Sequence, residues 1–167
     1  MYTEKEKERI KDEGKLFFPL FMDLTEKQIL VIGAGKIATR RIRTMVDFVG
    51  SVTVVAPRVE PQILELADRN ENIIIFERCF SDRDLDGKYI VFAATDNHEL
   101  NEDIVKKCNE RGILVNAVHN QNLCDFYFPG IVRKDSLVAG ITACGSNHVA
   151  AKEATALIRK AISKMEK

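Results

Sequence analysis

The chain has no surplus of either charge: 25 Lys and Arg stand against 25 Asp and Glu in 167 residues. Proteins that live on nucleic acid or anionic membranes usually carry a basic excess. Neither is expected as a partner, although a balanced total leaves the local distribution open. Cysteine is scarce. Cys79, Cys108, Cys124 and Cys144 are the four, and no two stand at C-x-x-C spacing, so nothing suggests a zinc knuckle or a thioredoxin-type motif. Reduced thiols in a cytosolic protein are expected instead. The opening Met1-Tyr-Thr-Glu-Lys-Glu-Lys-Glu-Arg lacks the apolar stretch of a secretory signal, and no apolar run reaches bilayer length. Internal repeats and low-complexity linkers are missing too. These absences leave a soluble, cytoplasmic protein as the expectation.

What is present is an ordinary globular composition, 46% hydrophobic and 30% charged, sufficient at this length for one core and a small appendage. Residues 1–15 are expected to be a charged N-terminal arm. Short β-branched runs follow: Gln28–Gly33, Val52–Ala56, Ile73–Phe76, Tyr89–Ala94 and Ile113–Val118. Between them lie stretches with helical spacing, 36–48, 62–69 and 99–111, the last stopped by Gly112. Asp82–Leu85 is expected as a turn or short helix. Strands alternating with helices mean βαβ units and a mostly parallel sheet with right-handed crossovers. The expected fold is therefore α/β, with a Rossmann-type domain over 16–120. After it, 121–167 changes character: Phe126–Pro129, Gly130–Arg133 and Leu137–Thr142 are expected as strands, with a tight turn at Lys134–Ser136 and a final helix from Val149 to Met165. An exposed amphipathic helix of that kind suggests burial against a partner, so 121–167 is expected to be a strand-and-helix dimerisation segment.

The strongest local signal is Gly33-Ala34-Gly35-Lys36-Ile37-Ala38, a G-x-G-x-x-A sequence. It follows an expected strand and opens an expected helix, the context in which such glycines bind a dinucleotide. Gly33 suits the tight turn, Gly35 lets the backbone approach a pyrophosphate, and Ala38 keeps the helix close to the sheet. The N–H groups and positive dipole end of that helix then face the phosphates. A glycine turn that merely joins strand to helix is the plain structural alternative. The second strand ends Val55-Ala56-Pro57-Arg58, without the acid that often holds the ribose hydroxyls of NAD. Arg58 fits either a 2′-phosphate or a solvated surface position, and the choice between NAD and NADP stays open on these residues.

From Phe18 to about Arg159 the chain resembles the N-terminal dehydrogenase module of siroheme synthases, the precorrin-2 dehydrogenase and sirohydrochlorin ferrochelatase family. The matching pieces are Phe18-Pro-Leu-Phe21, Val31-Ile-Gly-Ala-Gly35, Val52-Thr-Val-Val-Ala-Pro57, Phe92-Ala-Ala-Thr-Asp96 with Leu100-Asn101, and Val115-Asn-Ala-Val118. Cys124-Asp-Phe-Tyr-Phe-Pro129 and Leu137-Val-Ala139 extend the match. The resemblance implies NAD as hydride acceptor, a carboxylate-rich reduced tetrapyrrole as substrate and a homodimer; some relatives also insert iron. It also implies that Gly33, Gly35, Lys36, Ile37 and Ala38 bind the dinucleotide, with Pro57 and Arg58 beside its adenosine half. Thr95 would stand at the nicotinamide side, and Asn116 joins the cofactor-binding set.

Three departures from the family pattern stand out. The family's acid–base aspartate after the V-N-x-V strand is here His119, followed by Asn120. Histidine relays protons near neutral pH but supplies no matching negative charge. The Ser/Gly-rich turn ending Ser-Pro is here Thr142-Ala-Cys-Gly-Ser-Asn-His148. Finally, one helix stands where the family has a longer helical C-terminal region. Two function classes result: an NAD-dependent precorrin-2 dehydrogenase with His119 handling protons, or a non-catalytic protein that binds a dinucleotide, tetrapyrrole or haem on the same fold.

Other residues carry weaker signals. His119 and His148 with Cys124 and Cys144 are good iron ligands in kind, but no ligand spacing supports a metal site, and none is expected. His98 is expected at the surface, Asp96 as a helix cap and Asp125 as a turn anchor. Arg133, Lys134 and Lys152 fit either substrate carboxylates or solvent. The aromatic residues Phe17, Phe18, Phe21, Phe126 and Phe128 fit core or dimer packing.

Overall fold

The computed structural model describes residues 17–144 and 147–164. The expected N-terminal arm lies outside the described residues. Among the described residues the chain divides into two compact units, one spanning Phe21–Phe126 and the other formed by residues 17–20 with those described after 126.

The first unit is the α/β Rossmann-type domain expected from the strand–helix alternation. Its elements are β1 (Leu24–Ile32), α1 (Lys36–Met45), β2 (Val49–Val55), α2 (Pro61–Ala67), β3 (Ile73–Phe76), β4 (Ile90–Ala93), α3 (His98–Arg111) and β5 (Leu114–Ala117). All five strands are parallel, in the order β3-β2-β1-β4-β5. The chain winds outward from β1 to β3, then returns to β4 on the other side of β1. That reversal makes the β1/β4 boundary the switch point at which open α/β sheets bind ligands.

The run Ile29–Ile32 is fully buried because both faces of the sheet are covered. Alternation sends Leu30 and Ile32, in register with Val91 and Ala93, into one apolar cluster with Ile104, Val105 and Cys108 of α3. On the opposite face Val31 is in register with Phe92, and Phe92 with Asn116. There α1 contributes Arg41, whose guanidinium lies 5.2 Å from the Phe92 ring centroid. The helix α3 begins with Asn97, whose side chain accepts from the Leu100 N–H at 3.0 Å, and ends on Gly112 at φ 66°. The expected cap, Asp96, is displaced by this neighbouring Asn97, an equally good acceptor.

The second unit carries a hairpin, β6 (Gly130–Lys134) against β7 (Leu137–Ile141), and a helix, α4 (His148–Ser163). Val132 and Ile162 are its buried apolar residues among those described. Phe17 packs edge-on against Tyr127 with ring centroids 4.3 Å apart.

Three expectations are corrected. Phe126–Pro129 is not a strand: Pro129 has no N–H to donate to a ladder, and the Phe126 carbonyl accepts from Asn116 Nδ2 at 2.7 Å. β1 starts at Leu24, four residues before the apolar run, pairing with β2 through a bulge in a polar stretch that gives no periodic signal. α1 ends at Met45, and Val46–Phe48 tightens into a 3-10 turn. None of the described helices is long and apolar enough to cross a membrane.

Candidate functional site

The loop between β1 and α1 is closed by the fold itself. Gly33 adopts φ +99°, and a Cβ there would stand 2.3 Å from the Ala94 carbonyl oxygen and 2.8 Å from the Thr95 nitrogen. Only glycine permits both the conformation and the contact. The Gly33 N–H donates to the Val55 carbonyl at 2.9 Å, and the Glu60 N–H donates to the Ala34 carbonyl at 3.1 Å. These contacts gather the ends of β1, β2 and β4 into one rim.

Gly35 behaves differently. It is the N-cap of α1 in extended conformation, it has no side chain with which to cap the helix, and the first turn holds no acidic residue. A Cβ on Gly35 would meet nothing within 4 Å. Lys36 and Ile37 are exposed beside it, whereas Ala38 is fully buried. The first-turn N–H groups of α1 thus point outward with room for a backbone-hugging anion, and the donor set suits a pyrophosphate. Pro57 and Arg58 are exposed just past the end of β2.

Past the end of β4, Thr95 is locked to Asn101, a fully buried residue in the first turn of α3. Asn101 Oδ1 accepts from the Thr95 N–H at 3.2 Å and from its hydroxyl at 2.8 Å, while Nδ2 donates to the Thr95 carbonyl at 3.0 Å. The same Nδ2 stands 3.4 Å from Nδ1 of His119. The His119 side chain is only 9% exposed, its Nε2 lies 3.8 Å from Glu102 Oε1, and its ring stacks on His98 with centroids 4.6 Å apart. Among the described residues, no group lies within hydrogen-bond reach of Nε2.

His98 is exposed, as expected of a surface histidine, yet it forms one wall for His119. Neither this stacking nor the contact of Asn101 with His119 stood out in the sequence. The Leu100-Asn101 pair was part of a recognisable motif, but its buried amide was not legible there.

Asn116, like Ala38, is an expected cofactor residue that the structure buries. It is 3% exposed, its Oδ1 accepts from Arg41, and its Nδ2 donates to the Phe126 carbonyl. Both ends of the amide are used in bracing β5, because alternation points it into the α1 face rather than to the rim. Burial pushes the Arg41 guanidinium down to about 10, still charged near neutral pH. Cys124 donates to the Ala117 carbonyl at 3.3 Å, and burial pushes its thiol up. Asp125 accepts from the Val115 N–H at 2.8 Å, anchoring the loop after β5.

In the second unit, His148 opens α4 and lines an open depression with Val149, Lys152, Glu153 and Ala156. No group of three or more His, Cys, Asp or Glu is gathered for a metal ion among the described residues.

Residues 20–130 match a family model described as "Putative NAD(P)-binding". The chain is 35% identical over 145 residues to "Probable multifunctional siroheme biosynthesis protein HemA" of Ruminiclostridium josui, covering 86% of this chain and 28% of that protein. It is 36% identical over 129 residues to "Siroheme synthase" of Pseudoalteromonas atlantica, covering 77% and 28%. The chain therefore spans little more than a quarter of these relatives. A solved structure titled "SirC, precorrin-2 dehydrogenase" shares the fold at TM-score 0.75 and 24% identity, covering 87% of this chain and 70% of that one. With the glycine loop at the switch point and the family model over most of the first unit, the chain belongs to the NAD(P)-binding family.

Proposed function

We propose that the chain is a cytoplasmic NAD-dependent precorrin-2 dehydrogenase, forming sirohydrochlorin in siroheme synthesis. The observation that carries this reading is the packing of Gly33 on Ala94. It sets the phosphate loop against the strand end from which Thr95 and Asn101 reach His119. The similarity to siroheme synthases supports the substrate class.

The chemistry the dinucleotide supplies when bound is hydride acceptance at its nicotinamide ring. Gly35, Lys36 and Ile37 would hold the phosphates through backbone N–H groups and the helix dipole, on the turn made by Gly33, whose own N–H is given to the Val55 carbonyl. Ala38 lets α1 sit close, Pro57 and Arg58 would flank the adenosine half, and Thr95 would bound the nicotinamide side. His119 is the residue that meets the reacting tetrapyrrole. Residues 121–167 pair two copies, a role supported by Val149 and Leu157, which are 67% and 69% exposed on α4.

The replacement of the family aspartate by His119 favours a second reading, a non-catalytic dinucleotide- or tetrapyrrole-binding protein. Two measurements separate them. Calorimetry with NAD and with NADP is expected to show binding, tighter for NAD. Enzymatically generated precorrin-2 with NAD is then expected to yield NADH. Binding without NADH supports the second reading, and no binding of either dinucleotide removes both in their dinucleotide form.

A further inference from the structure

The orientation of the Asn101 amide is fixed without ambiguity. The Thr95 backbone N–H requires an acceptor and the Thr95 carbonyl requires a donor, so Oδ1 meets the first and Nδ2 the second. Nδ2 is consequently the atom facing His119 Nδ1 at 3.4 Å. An amide NH2 opposite a ring nitrogen is favourable only when that nitrogen carries a lone pair. The other ring nitrogen, Nε2, faces the opposite kind of partner, the Glu102 carboxylate at 3.8 Å. The Asn101 contact thus selects the tautomer, the more distant Glu102 carboxylate is compatible with it, and stacking on His98 at an interplanar angle of 20° holds the plane.

We infer that Asn101 is a positioning residue that fixes the tautomer of the His119 imidazole with its proton on Nε2, so that a ligand reaching this buried, unpartnered nitrogen meets a hydrogen-bond donor. The aspartate that the family resemblance places at this position is acceptor-only when ionised. His119 therefore inverts the polarity of the site rather than copying it. The ligand atom that suits Nε2–H is an oxygen acceptor such as a carboxylate. The tautomer stands on the fold alone, while its consequence for catalysis rests on the proposed role of His119.

The test is a long-range 1H–15N correlation spectrum of the 15N-labelled full chain, at a pH about two units above the ordinary imidazole value of ~6.5. His119 is assigned by comparison with H119Q. The expected result is a protonated Nε2 and a bare Nδ1, without the averaging shown by a mobile imidazole. In Asn101→Asp the new carboxylate oxygen is expected to draw the proton to Nδ1 and reverse the pattern. Wild-type shifts averaged as in an exposed histidine, or a protonated Nδ1, overturn the inference even where the variant fails to fold. So does a folded Asn101→Asp that keeps the wild-type pattern. Absence of precorrin-2 turnover, by contrast, removes the functional reading and leaves the tautomer untouched.

Discussion

Gly33 lies so close to Ala94 that an added Cβ would stand 2.3 Å from the Ala94 carbonyl oxygen. Its φ of +99° is hostile to side chains as well. Gly33→Ala is therefore expected to lower stability by at least about 3 kcal/mol, measured by urea unfolding.

Gly35 offers the contrast. An added Cβ meets nothing in the chain, so Gly35→Ala is expected to cost less than about 1 kcal/mol of stability. Where the loop cradles a pyrophosphate, that same Cβ stands in the ligand's space. Calorimetry is expected to show NAD binding weakened at least about tenfold, or ~1.4 kcal/mol. Equal affinity in the folded variant contradicts the cradle.

Asn116 links Arg41 of α1 to the carbonyl of Phe126. Truncating it strips partners from a half-buried guanidinium and a loop carbonyl together. Asn116→Ala is expected to lose about 2–4 kcal/mol of stability. NAD affinity of the folded variant is expected to stay near wild type, because this amide faces inward.

Burial pushes the Cys108 thiol up to about 12, from an ordinary 9.0. The folded state keeps the proton where the unfolded chain releases it. The stability linked to this group is thus fully present below pH 9 and is lost as pH rises towards 12, at about 1.4 kcal/mol per unit. Cys108→Ala is expected to show a correspondingly shallower alkaline decline in denaturant melts. In thiol labelling of the native protein, exposed Cys79 is expected to react ahead of buried Cys108.

The parallel sheet was legible because Ile29–Ile32 and Ile90–Ala93 are continuous apolar runs and Val52–Val55 is interrupted only by Thr53, the mark of strands covered on both faces. The glycine loop was legible because Gly33 and Gly35 sit between such a run and a helical pattern. The inward face taken by Asn116 was not legible because motif position says nothing about which face of a strand a residue takes; one step of register decides it. The roles of Asn101 and His98 were not legible, since they depend on a long-range meeting with His119, 18 residues beyond Asn101. Phe126–Pro129 has strand-like residues, but the Phe126 carbonyl accepts from the Asn116 side chain, and the preceding Asp125 N–H donates to Val115 of β5.

Oxidation of enzymatically generated precorrin-2 by the full chain with NAD tests the central claim most directly, read as NADH absorbance alongside sirohydrochlorin formation. NADH and sirohydrochlorin are expected in equal amounts, with turnover lowered at least about a hundredfold in His119→Ala. Sustained wild-type turnover that His119→Ala leaves unchanged contradicts the role of His119. A folded, NAD-binding chain that forms no NADH contradicts the dehydrogenase itself.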